Sequence, residues 1–181
     1  MVKRNNYLKY CFIVLYLERE GYYLDAKTIV ERLTASNLTI ACAESCTGGS
    51  FAAAITDISG ASQCFGYGLV TYSNEAKQKL LNVPASIINQ HGAVSAQTAA
   101  AMAEGLLLLS DADIAVSITG IAGPGGGTKI KPVGLVFIAV VSADYRVIKQ
   151  YNFLGTRTKI RHGSVESALN MVGDYLEEVN I

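Results

Sequence analysis

The sequence predicts an α/β layered fold with a mixed sheet, and three observations carry that expectation. Short apolar runs at 39–43, 65–72 and 114–118 alternate with segments of helical periodicity. Two further strand-like runs, 133–141 and 146–153, are separated by only about four residues, too few for a parallel crossover, so they form an antiparallel hairpin. The chain has 181 residues, half of them hydrophobic, which suits one packed domain better than disorder or two domains.

The elements follow in order. Leu8, Cys11, Phe12 and Leu15 fall at i, i+3, i+4, i+7, the stripe of an amphipathic helix. The apolar run 11–17 is at the lower limit of a signal-peptide core and is followed by charges without a cleavage site, so residues 1–22 read as an added docking helix and 23–181 as one domain. Asp25 can cap a helix carrying Ala26, Ile29, Val30 and Leu33. The run 39–43 is a buried strand, and 50–55 is small, alanine-rich and helix-compatible. Gly66 and Gly68 suggest a bulge or close backbone approach in the second strand. Ser73 or Asn74 caps a short helix at 74–81, and Ser95 opens a longer one with Ala99, Met102, Ala103, Leu106 and Leu107 on its apolar face. Val165, Leu169, Val172, Leu176 and Val179 share one side of the last helix.

Composition excludes several function classes. Fifteen basic and fifteen acidic residues give zero formal charge, with no clustered Lys/Arg to hold a nucleic-acid backbone. Four cysteines without Cys-x-x-Cys spacing and two histidines make a metal cage hard to assemble, so no metal or cofactor is expected. The cysteines read as small buried residues of a reducing, cytoplasmic compartment. Lys129 to Lys131 read as a solvated loop, and His91 as a structural residue of the turn around Gly92.

Candidate chemistry sits at three places. Glu44-Ser45-Cys46-Thr47-Gly48-Gly49 lies where a strand turns into a helix. There a serine hydroxyl projects outward, and the free N–H groups around Cys46, Thr47 and Gly48 could stabilise an oxyanion. Ser45 or Thr47 as a simple helix cap is the alternative. In Thr71-Tyr72-Ser73-Asn74-Glu75-Ala76-Lys77, Lys77 could serve Ser45 as a base if burial lowers its pKa, with Tyr72 approaching from the same side; a solvated lysine is the alternative. The stretch Gly120 to Gly127, including Gly123 and Gly125, follows a strand and could present N–H groups to a phosphate; a flexible loop is the alternative. Arg157 and Arg161 could add a guanidinium fork.

These segments stand in one order with His91-Gly92-Ala93-Val94-Ser95 and Lys131-Pro132-Val133-Gly134. In that order the chain resembles the CinA C-terminal domain family from about Leu24 onward. Single-domain members of that family are nicotinamide-nucleotide amidohydrolases. The resemblance implies a three-layer α/β/α sandwich and metal-free hydrolysis of nicotinamide mononucleotide to nicotinate mononucleotide and ammonia. It places the nucleophile at Ser45, the general base at Lys77, the assisting tyrosine at Tyr72 and a substrate-binding arginine at Arg157. The expected partners are a small pyridine nucleotide and further copies of the chain, without nucleic acid or membrane. Two other readings stay open: a catalytically silent nucleotide-binding or regulatory module of the same family, and another serine hydrolase such as an esterase.

Overall fold

The computed structural model describes residues 25–181. The docking helix expected at 1–22 lies outside the described residues. The strands are β1 (Ile40–Glu44), β2 (Phe65–Val70), β3 (Ile114–Gly120), β4 (Leu135–Val141) and β5 (Arg146–Asn152), in the sheet order β2-β1-β3-β4-β5. β1 is parallel to β2 and β3, whereas β4 is antiparallel to β3 and β5. The sheet is therefore mixed, and its last two strands are the expected hairpin. The helices are α1 (Ala26–Ala35), α2 (Ser50–Thr56), α3 (Asn74–Leu81), α4 (Ala85–His91), α5 (Ala96–Ser110) and α6 (Arg157–Glu178).

Alternation along the central strands builds three layers. Ile40, Cys42, Val116, Ile118, Val136 and Ile138 point to one face and pack with α1, α2 and α6. Ala41, Ala43, Ala115 and Ala139 point to the other, toward α3, α4 and α5. Alanine on that face lets α5 lie close to the sheet, where the Ser117 hydroxyl donates to the Ala99 carbonyl at 2.6 Å. Every residue of β1 is buried, as a parallel strand covered on both faces should be.

Local signals were mostly obeyed. Asp25 caps α1 by accepting from Thr28 N–H, Ser73 caps α3 through Ala76 N–H, and Ser95 caps α5 through Thr98 N–H. Ile40 pairs with Phe65 and Ala41 with Tyr67, so Gly66 is the extra residue of a bulge. Five details differ. Tyr72 lies beyond the end of β2, and residues 133–134 precede β4, Gly134 holding a left-handed φ of 96°. His91 closes a helix, α4, that its single buried residue Ile88 left without an apolar stripe to read. Val179 is the exposed C-cap of α6 and not part of its buried side. Lys131 is half-buried, donating to the His91 and Val94 carbonyls at 2.6 and 2.7 Å, so it ties two loops together.

The chain leaves β1 toward β2 through α2 on one face, and returns to β3 through α3–α5 on the other. This reversal opens a crevice beyond the C-terminal ends of β1 and β3, the usual place for a ligand in an open α/β sheet. Among the described residues no helix is long and apolar enough to cross a membrane.

Candidate active site

Ser45 is the first residue after β1, fixed by its N–H donating to the Ile118 carbonyl of β3 at 2.9 Å. The chain then turns through Gly48 and Gly49, whose φ values of 58° and 93° are left-handed, so both glycines serve the backbone of the turn. Neither Ser45 nor Thr47 caps α2. The cap residue is Gly49, which has no side chain to offer, and the Ser45 hydroxyl instead accepts from Lys77 Nζ at 3.1 Å.

Lys77 comes from α3, the helix that Ser73 starts, and the i, i+4 pair Lys77 and Leu81 is buried on its inner side. Its side chain is 1% exposed, and Nζ also donates to the Thr71 carbonyl at 2.7 Å. Burial disfavours the ammonium and pushes its pKa down to about 8, against a small opposing effect of Cys46. A lysine so placed can exist as a neutral amine next to a hydroxyl. Cys46 is the rival nucleophile, but burial raises its thiol to about 11, which leaves little thiolate at neutral pH.

Ser45, Cys46, Lys77, Tyr72, Gly120, Gly123, Gly125 and Arg157 all line one cavity of about 260 Å³ in the crevice. Among the described residues the lining holds two basic side chains, Lys77 and Arg157, and no carboxylate. Tyr72 is 61% exposed, and its hydroxyl makes a long contact of 3.4 Å with Arg157 Nη2 and no hydrogen bond to Ser45 or Lys77. Arg157 Nη1 donates to the Gly123 carbonyl at 2.9 Å, linking α6 to the glycine loop. Among the described residues no group of His, Cys, Asp and Glu is placed to hold a metal ion.

The sequence pattern of the CinA C-terminal domain matches residues 24–176. The chain belongs to the CinA C-terminal domain family. It is 47% identical over 150 residues to a competence-damage inducible protein of Desulforudis audaxviator, covering 83% of this chain and 36% of that one. To a CinA-like protein of Endomicrobium trichonymphae it is 55% identical over 136 residues, 74% of this chain and 31% of the relative. The chain thus spans about a third of these curated relatives. Among solved structures, a CinA superfamily protein from Klebsiella pneumoniae matches with a TM-score of 0.82 at 33% identity, covering 84% of this chain and 96% of that one. The competence/damage inducible protein CihA from Agrobacterium tumefaciens matches with a TM-score of 0.78 at 40% identity, over 85% and 97% of the two chains.

Two residues of this CinA domain had no assigned role, or another one, in the sequence reading. Glu44, 1% exposed, accepts from the N–H groups of Gly49, Phe51 and Ala52 at 3.0, 3.1 and 2.9 Å. The start of α2 is therefore occupied by a carboxylate from its own chain, so those helix donors do not face a substrate. Arg161, a candidate phosphate ligand from its position, donates from Nε and Nη2 to the Thr47 carbonyl and from Nη2 to Ser50 Oγ at 2.7 Å. The signal for Glu44 was its place directly before Ser45, at the end of a strand that turns into a helix. Nothing local distinguishes Arg161 from Arg157.

Proposed function

We propose that this CinA domain hydrolyses the amide of nicotinamide mononucleotide to nicotinate mononucleotide and ammonia. The observation that carries the reading is the 3.1 Å contact between Lys77 Nζ and Ser45 Oγ, with a lysine that burial brings near neutrality. Neutral Lys77 takes the Ser45 proton as Oγ attacks the amide carbon. The tetrahedral intermediate collapses, the C–N bond breaks, and the proton held on Lys77 leaves with ammonia. Water, deprotonated by Lys77 in turn, attacks the resulting ester. The Oγ–carbon bond breaks and Ser45 regains its proton.

The cavity lining supports a pyridine nucleotide as substrate. The N–H groups of Ala122, Gly123, Gly125 and Gly126 donate to no described residue, and Arg157 stands beside them, which together suit a phosphate. Among the described residues no carboxylate stands in the lining to repel that phosphate. The test is ammonia release on incubation with nicotinamide mononucleotide. Steady release supports the amidohydrolase. Tight binding of the nucleotide without release would support a silent binding module, and turnover of simple esters alone would support an esterase.

A further inference from the structure

The segment from Ser45 to Ala52 carries the backbone donors next to the proposed nucleophile, and most of them are already used. Ser45 N–H donates to the Ile118 carbonyl, Gly48 N–H to the Ser45 carbonyl at 3.1 Å, and Ser50 N–H to the Thr47 carbonyl at 3.3 Å. Gly49, Phe51 and Ala52 donate to Glu44. Cys46 and Thr47 remain, with no acceptor from another described residue. Thr47 is fully buried, whereas Cys46 lines the cavity.

The orientation of this turn is set from outside it. The peptide joining Thr47 to Gly48 is held at both ends, its carbonyl by Arg161 and its N–H by the Ser45 carbonyl. Glycine at 48 offers no side-chain barrier to rotation of that peptide, so the guanidinium supplies the constraint. Arg161 also holds Ser50, the first residue of α2, while Glu44 holds the same helix by its N–H groups. We propose that Arg161 and Glu44 are positioning residues that orient the 45–50 turn so that the Cys46 N–H, alone among the donors of this segment, faces the developing oxyanion on a substrate attacked by Ser45. The proposal rests on the reading of Ser45 as nucleophile. It removes Gly48 from the donors and Arg161 from the phosphate ligands.

The test compares wild type with Arg161→Ala, Arg161→Lys and Glu44→Gln in two assays. In ammonia release from nicotinamide mononucleotide, Arg161→Ala should lower kcat by about 10- to 100-fold, a part of the loss known for removing a whole oxyanion donor. KM should stay within about twofold, because a ground-state contact is not lost. Methylguanidinium, added below denaturing concentration, should restore part of kcat. Arg161→Lys should fall between, since an ammonium keeps the charge but lacks the planar fork that adds an Nε contact to the Thr47 carbonyl beside those of Nη2. The second assay is the rate at which a fluorophosphonate labels Ser45, which assumes nothing about the natural substrate and should fall in parallel in all three variants. Raised KM with kcat kept in Arg161→Ala would overturn the proposal in favour of a phosphate ligand. Wild-type labelling rates, or a kcat loss that only tracks the unfolded fraction and resists methylguanidinium, would overturn it as well. A wild type that is labelled but releases no ammonia refutes the amidohydrolase alone, and the labelling series then decides the proposal. Should Glu44→Gln fail to fold, the two Arg161 variants decide it.

Discussion

At the scale of residues, the account turns on whether Lys77 is neutral when it meets Ser45. Its pKa of about 8 predicts a rate that rises with pH through one ionisation near that value. Lys77→Arg keeps the charge but cannot lose a proton, so it should be nearly inactive, by about a hundred- to ten-thousand-fold, and should lack that ionisation. The same shift has a stability consequence of defined sign. The folded pKa lies below the ordinary lysine value of 10.5, so between about pH 8 and pH 10.5 the unfolded chain binds more protons. Wild-type stability should therefore gain on that of Lys77→Met as pH rises through that window, and urea unfolding of both proteins at several pH values measures the difference. A constant difference would mean that Lys77 is not shifted. Cys46→Ala should stay active, and alkylation of Cys46 should be slow at neutral pH, because burial holds its thiol at about 11. Stoichiometric inactivation by a thiol reagent would favour a cysteine nucleophile. Ser45 and Lys77 are 32 residues apart, so no local pattern could pair them; the ordered motifs and their resemblance made the pair readable. Tyr72 shows the limit of such reading. Closeness in sequence to the strand end suggested an approach to Ser45; Tyr72 does line the same cavity, but its hydroxyl meets Arg157 and hydrogen-bonds neither Ser45 nor Lys77.

At the scale of elements, α3 delivers Lys77 and is itself placed by α5. A Cβ at Gly105 of α5 would run into the Leu81 carbonyl at the end of α3. Gly105→Ala should destabilise the fold by about 1–3 kcal/mol, as overpacking does. It should also lower activity by displacing α3, read from thermal unfolding together with ammonia release. An unchanged midpoint and rate would mean that the two helices can separate freely. This contact explains what the sequence leaves illegible. A glycine inside a helical run reads only as a weak spot, since its reason lies in a helix more than twenty positions away. The caps at Asp25, Ser73 and Ser95 were legible because each acts within three residues of itself. The cap of α2 was not, because the residue at the cap position is Gly49 and the carboxylate comes from Glu44. α4, with one buried residue, carries too little periodicity to be read.

At the scale of the whole molecule, the order β2-β1-β3 places the turn after β1, the glycine loop after β3 and the approach to α3 after β2 at one end of the sheet. The alternation of elements and the short hairpin connection made that architecture legible, whereas the strand order needed the structure. An extended site follows, with the nucleophile near β1 and the proposed phosphate contacts near β3 and α6. Nicotinamide riboside, lacking the phosphate, should be a poorer substrate than the mononucleotide, and Arg157→Ala should erode the difference. Equal kcat/KM for the two in wild type would remove the phosphate site. The central claim is that Ser45 breaks the amide bond of nicotinamide mononucleotide, and the most direct measurement is ammonia release by wild type and Ser45→Ala side by side, with circular dichroism confirming that both are folded. The account predicts steady release by wild type and none above background from Ser45→Ala; release by the variant within a few-fold of wild type would contradict it.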